Sequence, residues 1–269
     1  MKALIGIGDS WTQGQGGIPL KFWDELGGRV DVADQEAEPL FLHHELENSW
    51  VNVLCKKYFT DHTPINLGMR GYGNRGAVKN LYLYDDQVKV VTSGILIFLL
   101  SSRVRFDILS PTGYTSGRRK FRTFYPHGGG DNLNKPGEKE WYRNEYTEYL
   151  SKGEILLNLV EAQMWAKAHN LQFYFATAFE HIDDLKSNTE EHYNLATQLN
   201  WKAHLNPHSH YYLWLNELNG TPDKMYGDYF KMDRPDTYIT NDVHPTILGY
   251  EKIAESMYNS IQRIKKDII

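Results

Sequence analysis

Cysteine occurs once, as Cys55, so the chain cannot form an internal disulfide. A reducing compartment fits this usage, and so does a disulfide-free exported protein. No apolar run is long enough for a membrane helix; the longest, Ile95 to Leu100, is far too short. Positive charge is not in excess: 29 Lys and Arg against 34 Asp and Glu leave a net charge of −5. That balance gives no electrostatic basis for binding nucleic acid or an anionic membrane. There is no internal repeat and no low-complexity tract. Gly6-x-Gly8-x-x-Trp11 lacks the third glycine of a dinucleotide fingerprint, and no P-loop lysine follows it. There is no Cys cluster and no His-Glu-x-x-His helix to support metal binding. His204, His208, His210 and the pair His43-His44 are therefore read as solvated or structural. No cofactor is called for.

What is present is ordinary in bulk. The 269 residues, 41% hydrophobic and 23% charged, predict one globular domain over 1–269. Seven Trp and 18 Tyr are many for this length. Such rings line carbohydrate-binding surfaces, but they are also common core and interface material. Met1-Lys2 leads straight into Ala3-Leu4-Ile5, so no signal peptide is expected, and a cytoplasmic or virion-associated setting fits.

Short apolar runs alternate with helical spacing. Ala3–Ile7, Pro64–Leu67, Gly94–Leu100 and Leu171–Ala178 read as buried strands. Helices are expected over 49–59, 75–90, 152–169 and 246–265, the third with its apolar face at Ile155, Leu156, Leu159, Val160 and Ala162–Trp165. This alternation predicts an α/β fold, a three-layer αβα sandwich around a central parallel sheet. Two stretches break the pattern. Residues 11–48 read mostly as loop, and 104–150 read as an insertion at the carboxyl end of a strand, the edge where open α/β sheets bind ligands. The basic cluster Arg118-Arg119-Lys120 in the second stretch reads as a solvated loop. Thr177, Glu180 and His181 end a strand at the same edge, where they either line the site or are ordinary loop polarity.

Two elements carry chemistry. Gly8-Asp9-Ser10 puts a serine directly after a buried strand, at the sheet's carboxyl edge. Alone, this tripeptide also describes an ordinary turn. Asn241-Asp242-Val243-His244-Pro245 puts a histidine beside a carboxylate just before the last helix. A serine nucleophile needs that pair as base and orienter.

Taken together, these blocks resemble the SGNH/GDSL hydrolase family. Gly8-Asp9-Ser10 resembles its first block. Asn66-Leu67-Gly68-Met69-Arg70-Gly71 resembles its second, and His244-Pro245 with Gly249-Tyr250 resembles its last. The blocks fall in order along nearly the whole chain, while about 104–240 carries little of the likeness. The resemblance implies the flavodoxin-like layered fold, Ser10 as nucleophile, His244 as base and the Gly71 N–H as an oxyanion donor. Two positions depart from the pattern. The third block is normally Gly-x-Asn-Asp, whose Asn completes the oxyanion hole. Here Ser102 stands at the Asn position with Arg103 after it, and Asn74 is an alternative donor from the second-block turn. Losing one oxyanion donor costs ~10²–10³ in rate. The family's acid lies three residues before His, which is Asn241 here. Asp242 is the favoured acid, with Asp236, an Asn241 that orients the imidazole without stabilising its charge, or an unassisted Ser–His pair as alternatives.

The implied activity is hydrolysis of a small-molecule or saccharide ester through an acyl-enzyme, as an esterase or carbohydrate O-deacetylase. The competing expectation is a non-catalytic or weakly active protein of the same fold, a component of a viral particle or surface assembly. A flavodoxin-like nucleotide binder would share the layers but lacks a phosphate-loop signature here.

Overall fold

The structure, a computed structural model, describes residues 1–19, 38–83, 88–102, 106–109, 121–124, 148–179, 192–205 and 244–267. Four strands form one parallel sheet: β1 (Lys2–Ile7), β2 (Thr63–Asn66), β3 (Ser93–Leu100) and β6 (Leu171–Thr177). Their spatial order is β2-β1-β3-β6, which puts β1 and β3 at the centre. Both central strands are buried on both faces, as their unbroken apolar runs require.

The strand order dictates the layers. The crossover from β1 to β2 runs one way across the sheet, and those from β2 to β3 and from β3 to β6 run back. With right-handed crossovers, the first must lie on one face and the other two on the opposite face. Helix α3 (Trp50–Lys57) accordingly covers one face together with the final helix α7 (Ile247–Lys266). Helices α4 (Asn74–Leu83) and α5 (Glu148–Ala168) pack together on the other, and the one-turn helix α6 (Tyr193–Ala196) packs against α5. The result is the expected α/β sandwich of three layers.

Local chemistry sets the helix ends. Ser49 caps α3 by accepting the Asn52 N–H, and Thr246 caps α7 by accepting the Gly249 N–H at 3.1 Å. Arg263, Lys265 and Lys266 in the last turn of α7 face the negative end of its dipole. Tyr250, Ile253, Ala254, Met257 and Ile261 form the buried stripe of α7.

Two expectations change and one gains detail. The stretch 11–48 is not mostly loop where it is described. It holds the one-turn helix α1 (Ser10–Gln13) and the three-turn helix α2 (Glu38–Asn48). The apolar residues of α2 sit side by side as Leu40-Phe41-Leu42 and hide its period, while its Pro39 lies in the first turn, where proline is tolerated. Second, Met164 does not belong to the buried face of α5. It is 63% exposed, half a turn away from the stripe of Ile155, Leu159, Ala162 and Ala166. Third, the 104–150 stretch contains a short antiparallel pair, β4 (Phe106–Leu109) with β5 (Phe121–Phe124), and β4 runs beside α4. The basic cluster at 118–120 lies outside the described residues.

Candidate active site

The carboxyl ends of β1 and β3 lie side by side at the centre of the sheet, and α1 starts directly from the first of them. Asp9 sets this start. It is the helix cap, its Oδ1 accepting the Trp11 N–H at 2.9 Å while its own carbonyl accepts the Thr12 and Gln13 N–H groups. Its second carboxylate oxygen accepts the Ser101 hydroxyl at 2.6 Å, joining α1 to the end of β3. Asn74 holds Ser101 in turn: its Oδ1 accepts the Ser101 N–H at 2.8 Å, and its Nδ2 donates to the Ser101 carbonyl at 3.2 Å. Asp9, Ser101 and Asn74 are all buried.

Ser10 is therefore the first helical residue on a clamped turn. Its N–H is given to no acceptor among the described residues. Its Oγ lies 2.8 Å from Nε2 of His244. Pro245 restricts His244 to extended backbone, and the Thr246 cap fixes where α7 begins two residues on. The Tyr250 hydroxyl, donating to the Gln15 carbonyl at 2.7 Å, anchors the first turn of α7 against the exit from α1. Two residues 234 positions apart are brought into hydrogen-bond contact by these anchors.

The turn after β2 forms a third side. Asn66 donates from Nδ2 to the Thr12 carbonyl at 2.7 Å, and the N–H groups of Leu67 and Met69 reach the Gly6 and Gly8 carbonyls. The Arg70 N–H donates to Gln13 Oε1 at 2.7 Å. Gly71 follows with φ of 73°, a left-handed conformation that favours glycine. At Gly68 the approach is so close that a Cβ would lie 2.3 Å from the Gln13 nitrogen.

Of the other expected residues, Ser102 is half-buried directly after β3. Asn74 is committed to Ser101 at both ends of its amide. Thr177, at the end of β6, is buried, and its hydroxyl has no partner among the described residues. Arg103, Asp242, Asn241, Asp236, Glu180, His181, His208 and His210 lie outside the described residues. His43 is exposed with its Nε2 3.8 Å from Glu47, and His204 packs on the Phe175 ring. Among the described residues, no group of three or more His, Cys, Asp or Glu is placed to hold a metal ion, and no helix is long and apolar enough to cross a membrane.

Sequence reasoning missed one polar group here. Glu45 of α2, 1% exposed, pairs with the Arg70 guanidinium through Nη2 and accepts Gln13 Nε2 at 3.4 Å. Burial pushes its carboxyl above the ordinary value despite the opposing pull of Arg70. No motif marks it. It lies in a stretch, 11–48, whose sequence carries no clear helical period.

Chemically, the arrangement offers a hydroxyl in contact with an imidazole, on the first residue of a helix and beside the turn after β2. That combination serves nucleophilic attack on an electrophilic carbon bearing an oxygen.

No family model and no curated protein matches this sequence. Among solved structures, the chain is similar to TesA, with 11% identity, 98% of this chain and 99% of that one covered, and a TM-score of 0.46. It is similar to the psychrotrophic esterase EstA from Pseudoalteromonas sp., with 15% identity, 98% of each chain covered and a TM-score of 0.46. A third is a carbohydrate acetylesterase family member from Sinorhizobium meliloti, with 14% identity, 98% and 99% coverage and a TM-score of 0.40.

Proposed function

We propose that the chain is a serine-dependent ester hydrolase of the SGNH type, acting on a small-molecule or saccharide ester. The observation that carries this reading is the 2.8 Å contact between Ser10 Oγ and His244 Nε2 at the carboxyl edge of the sheet. With the imidazole proton on Nδ1, Nε2 accepts the Ser10 proton as Oγ bonds to the acyl carbon. The carbonyl π electrons move to oxygen, and the N–H groups of Ser10 and Gly71 hold that oxyanion, with Ser102 or Arg103 adding to them. His244 returns the proton to the leaving alcohol. Water, deprotonated by the same nitrogen, then releases the acid and restores Ser10. Asp242, two residues before His244, is the acid we assign to orient the imidazole through Nδ1. The carbohydrate O-acetyl class is proposed on the chain's richness in Trp and Tyr.

Hydrolysis of p-nitrophenyl acetate by the wild type and by Ser10→Ala tests the reading, with fluorophosphonate labelling alongside. Turnover and labelling that both vanish in Ser10→Ala are expected. No Ser10-dependent turnover and no labelling would overturn it, leaving a binding or structural role for the fold.

A further inference from the structure

Three segments meet behind the Ser10 turn, and three polar side chains close a ring between them. Glu45 of α2 binds Arg70 Nη2 through one carboxylate oxygen and Gln13 Nε2 through the other. Gln13, in the same helical turn as Ser10, accepts the Arg70 N–H at 2.7 Å through its Oε1. The ring thus holds Arg70 at both its guanidinium and its backbone, and Arg70 is the residue before Gly71. Helix α2 is pressed close here, since a Cβ on Gly14 would lie 1.9 Å from the Glu45 carbonyl oxygen.

Stability alone explains this ring poorly. A buried ion pair gives back in attraction little more than it loses in hydration, and an apolar pair of similar size often does better. The Arg70 Nε–H is buried with no acceptor among the described residues, which adds to the cost. The carboxylate itself has no free edge for chemistry, being buried and engaged on both oxygens.

We infer that Glu45 is a positioning residue: through Arg70 and Gln13 it fixes the Arg70–Gly71 peptide relative to Ser10, so that the Gly71 N–H meets the oxyanion. This rests on the hydrolase reading above. Backbone donors must be in place before charge develops, and a displacement of about 1 Å can cost ~10²-fold in rate.

The test measures p-nitrophenyl acetate kinetics and phenylboronic acid binding for Glu45→Gln, Arg70→Met and the double variant. Phenylboronic acid reports the tetrahedral state rather than the ground state. Each single variant is expected to lower kcat about 10–100-fold with KM within about twofold, and to weaken boronate binding in parallel. The double variant is expected to be no worse than the poorer single one, as members of one ring act as a unit. Folding is checked by circular dichroism, and Gln13→Glu serves as a second probe should Arg70→Met fail to fold. Folded variants with wild-type kcat and boronate affinity would overturn the inference while leaving the hydrolase reading intact. A wild type without Ser10-dependent turnover would remove both.

Discussion

The Ser101 hydroxyl donates to Oδ2 of Asp9 at 2.6 Å, across 92 positions of sequence, and so ties the end of one central strand to the residue before Ser10. Both residues are buried. Hydrogen bonds to a charged group contribute about 1.5–3 kcal/mol, and a buried acceptor left without its donor loses the most. Ser101→Ala is expected to lower unfolding free energy by about that amount in urea titrations. Its kcat falls as well, because α1 starts from Asp9.

His244 is expected to be as important to turnover as Ser10 itself. Its Nε2 contacts Ser10 Oγ, and base and nucleophile act as a unit rather than additively. His244→Ala is therefore expected to cost on the order of 10⁶-fold in kcat, and Ser10→Ala/His244→Ala no more than either alone. Steady-state assays of the three variants check this. Two single losses that multiply in the double variant would separate the residues functionally.

The parallel sheet was legible because its strands are buried on both faces and read as unbroken apolar runs, Ile95–Leu100 above all. The placement of Ser10 and His244 was legible because each sits at a marked boundary, one after a strand and one before a capped helix. The Gln13–Glu45–Arg70 ring was not. Its members lie on three segments, and only folding shows that the inner side of α2 meets the turn after β2. The same holds for Asn74, whose amide is used on Ser101. Single-residue polar commitments of this kind leave no period in the sequence.

Glu45 gives a pH dependence of stability with an unusual sign. Burial holds its carboxyl above the ordinary 4.5, the largest influence being loss of hydration, with Arg70 opposing. Over the interval between the ordinary and the raised value, the folded chain keeps a proton that the unfolded chain has released. The stability from this group is fully present below 4.5 and is lost as pH rises through the raised value. Glutamine cannot ionise, so Glu45→Gln should gain stability relative to the wild type between pH 4.5 and neutrality. Thermal melts of both proteins across that range measure the difference, and a relative loss would contradict the sign.

Cys55 is expected to be chemically silent in the folded chain. It is 4% exposed within α3, and burial, helped by the charge of Asp61, pushes its thiol up to about 12. The thiolate is the reactive form, so a disulfide reagent at mildly alkaline pH should find almost none. Titration with Ellman's reagent should release no thionitrobenzoate from the native protein and one equivalent after denaturation. Prompt reaction without denaturant would show that this helix opens locally.

Gly68 offers the sharpest separation of fold from catalysis. It sits between β2 and the turn that carries Gly71, and an added Cβ would lie 2.3 Å from the Gln13 nitrogen and 2.6 Å from the Thr12 carbonyl carbon. Both are backbone atoms of the Ser10 helix, so no side-chain rotation relieves the overlap. The sheet does not depend on this contact, because β2 is already registered on β1 from Ala3↔Thr63 to Gly6↔Asn66. Gly68→Ala must therefore move the turn away from α1, stretching the Arg70 N–H bond to Gln13 and, on the proposed mechanism, drawing the Gly71 donor away from the reacting carbonyl. A destabilisation of about 1–3 kcal/mol is expected from the overlap. A loss of kcat of about 10²-fold or more is expected from the displaced donor. Fluorophosphonate labelling of Ser10 should slow in proportion, while the circular dichroism spectrum stays that of the wild type. Wild-type turnover in a folded Gly68→Ala protein would show that the turn after β2 takes no part in stabilising the transition state.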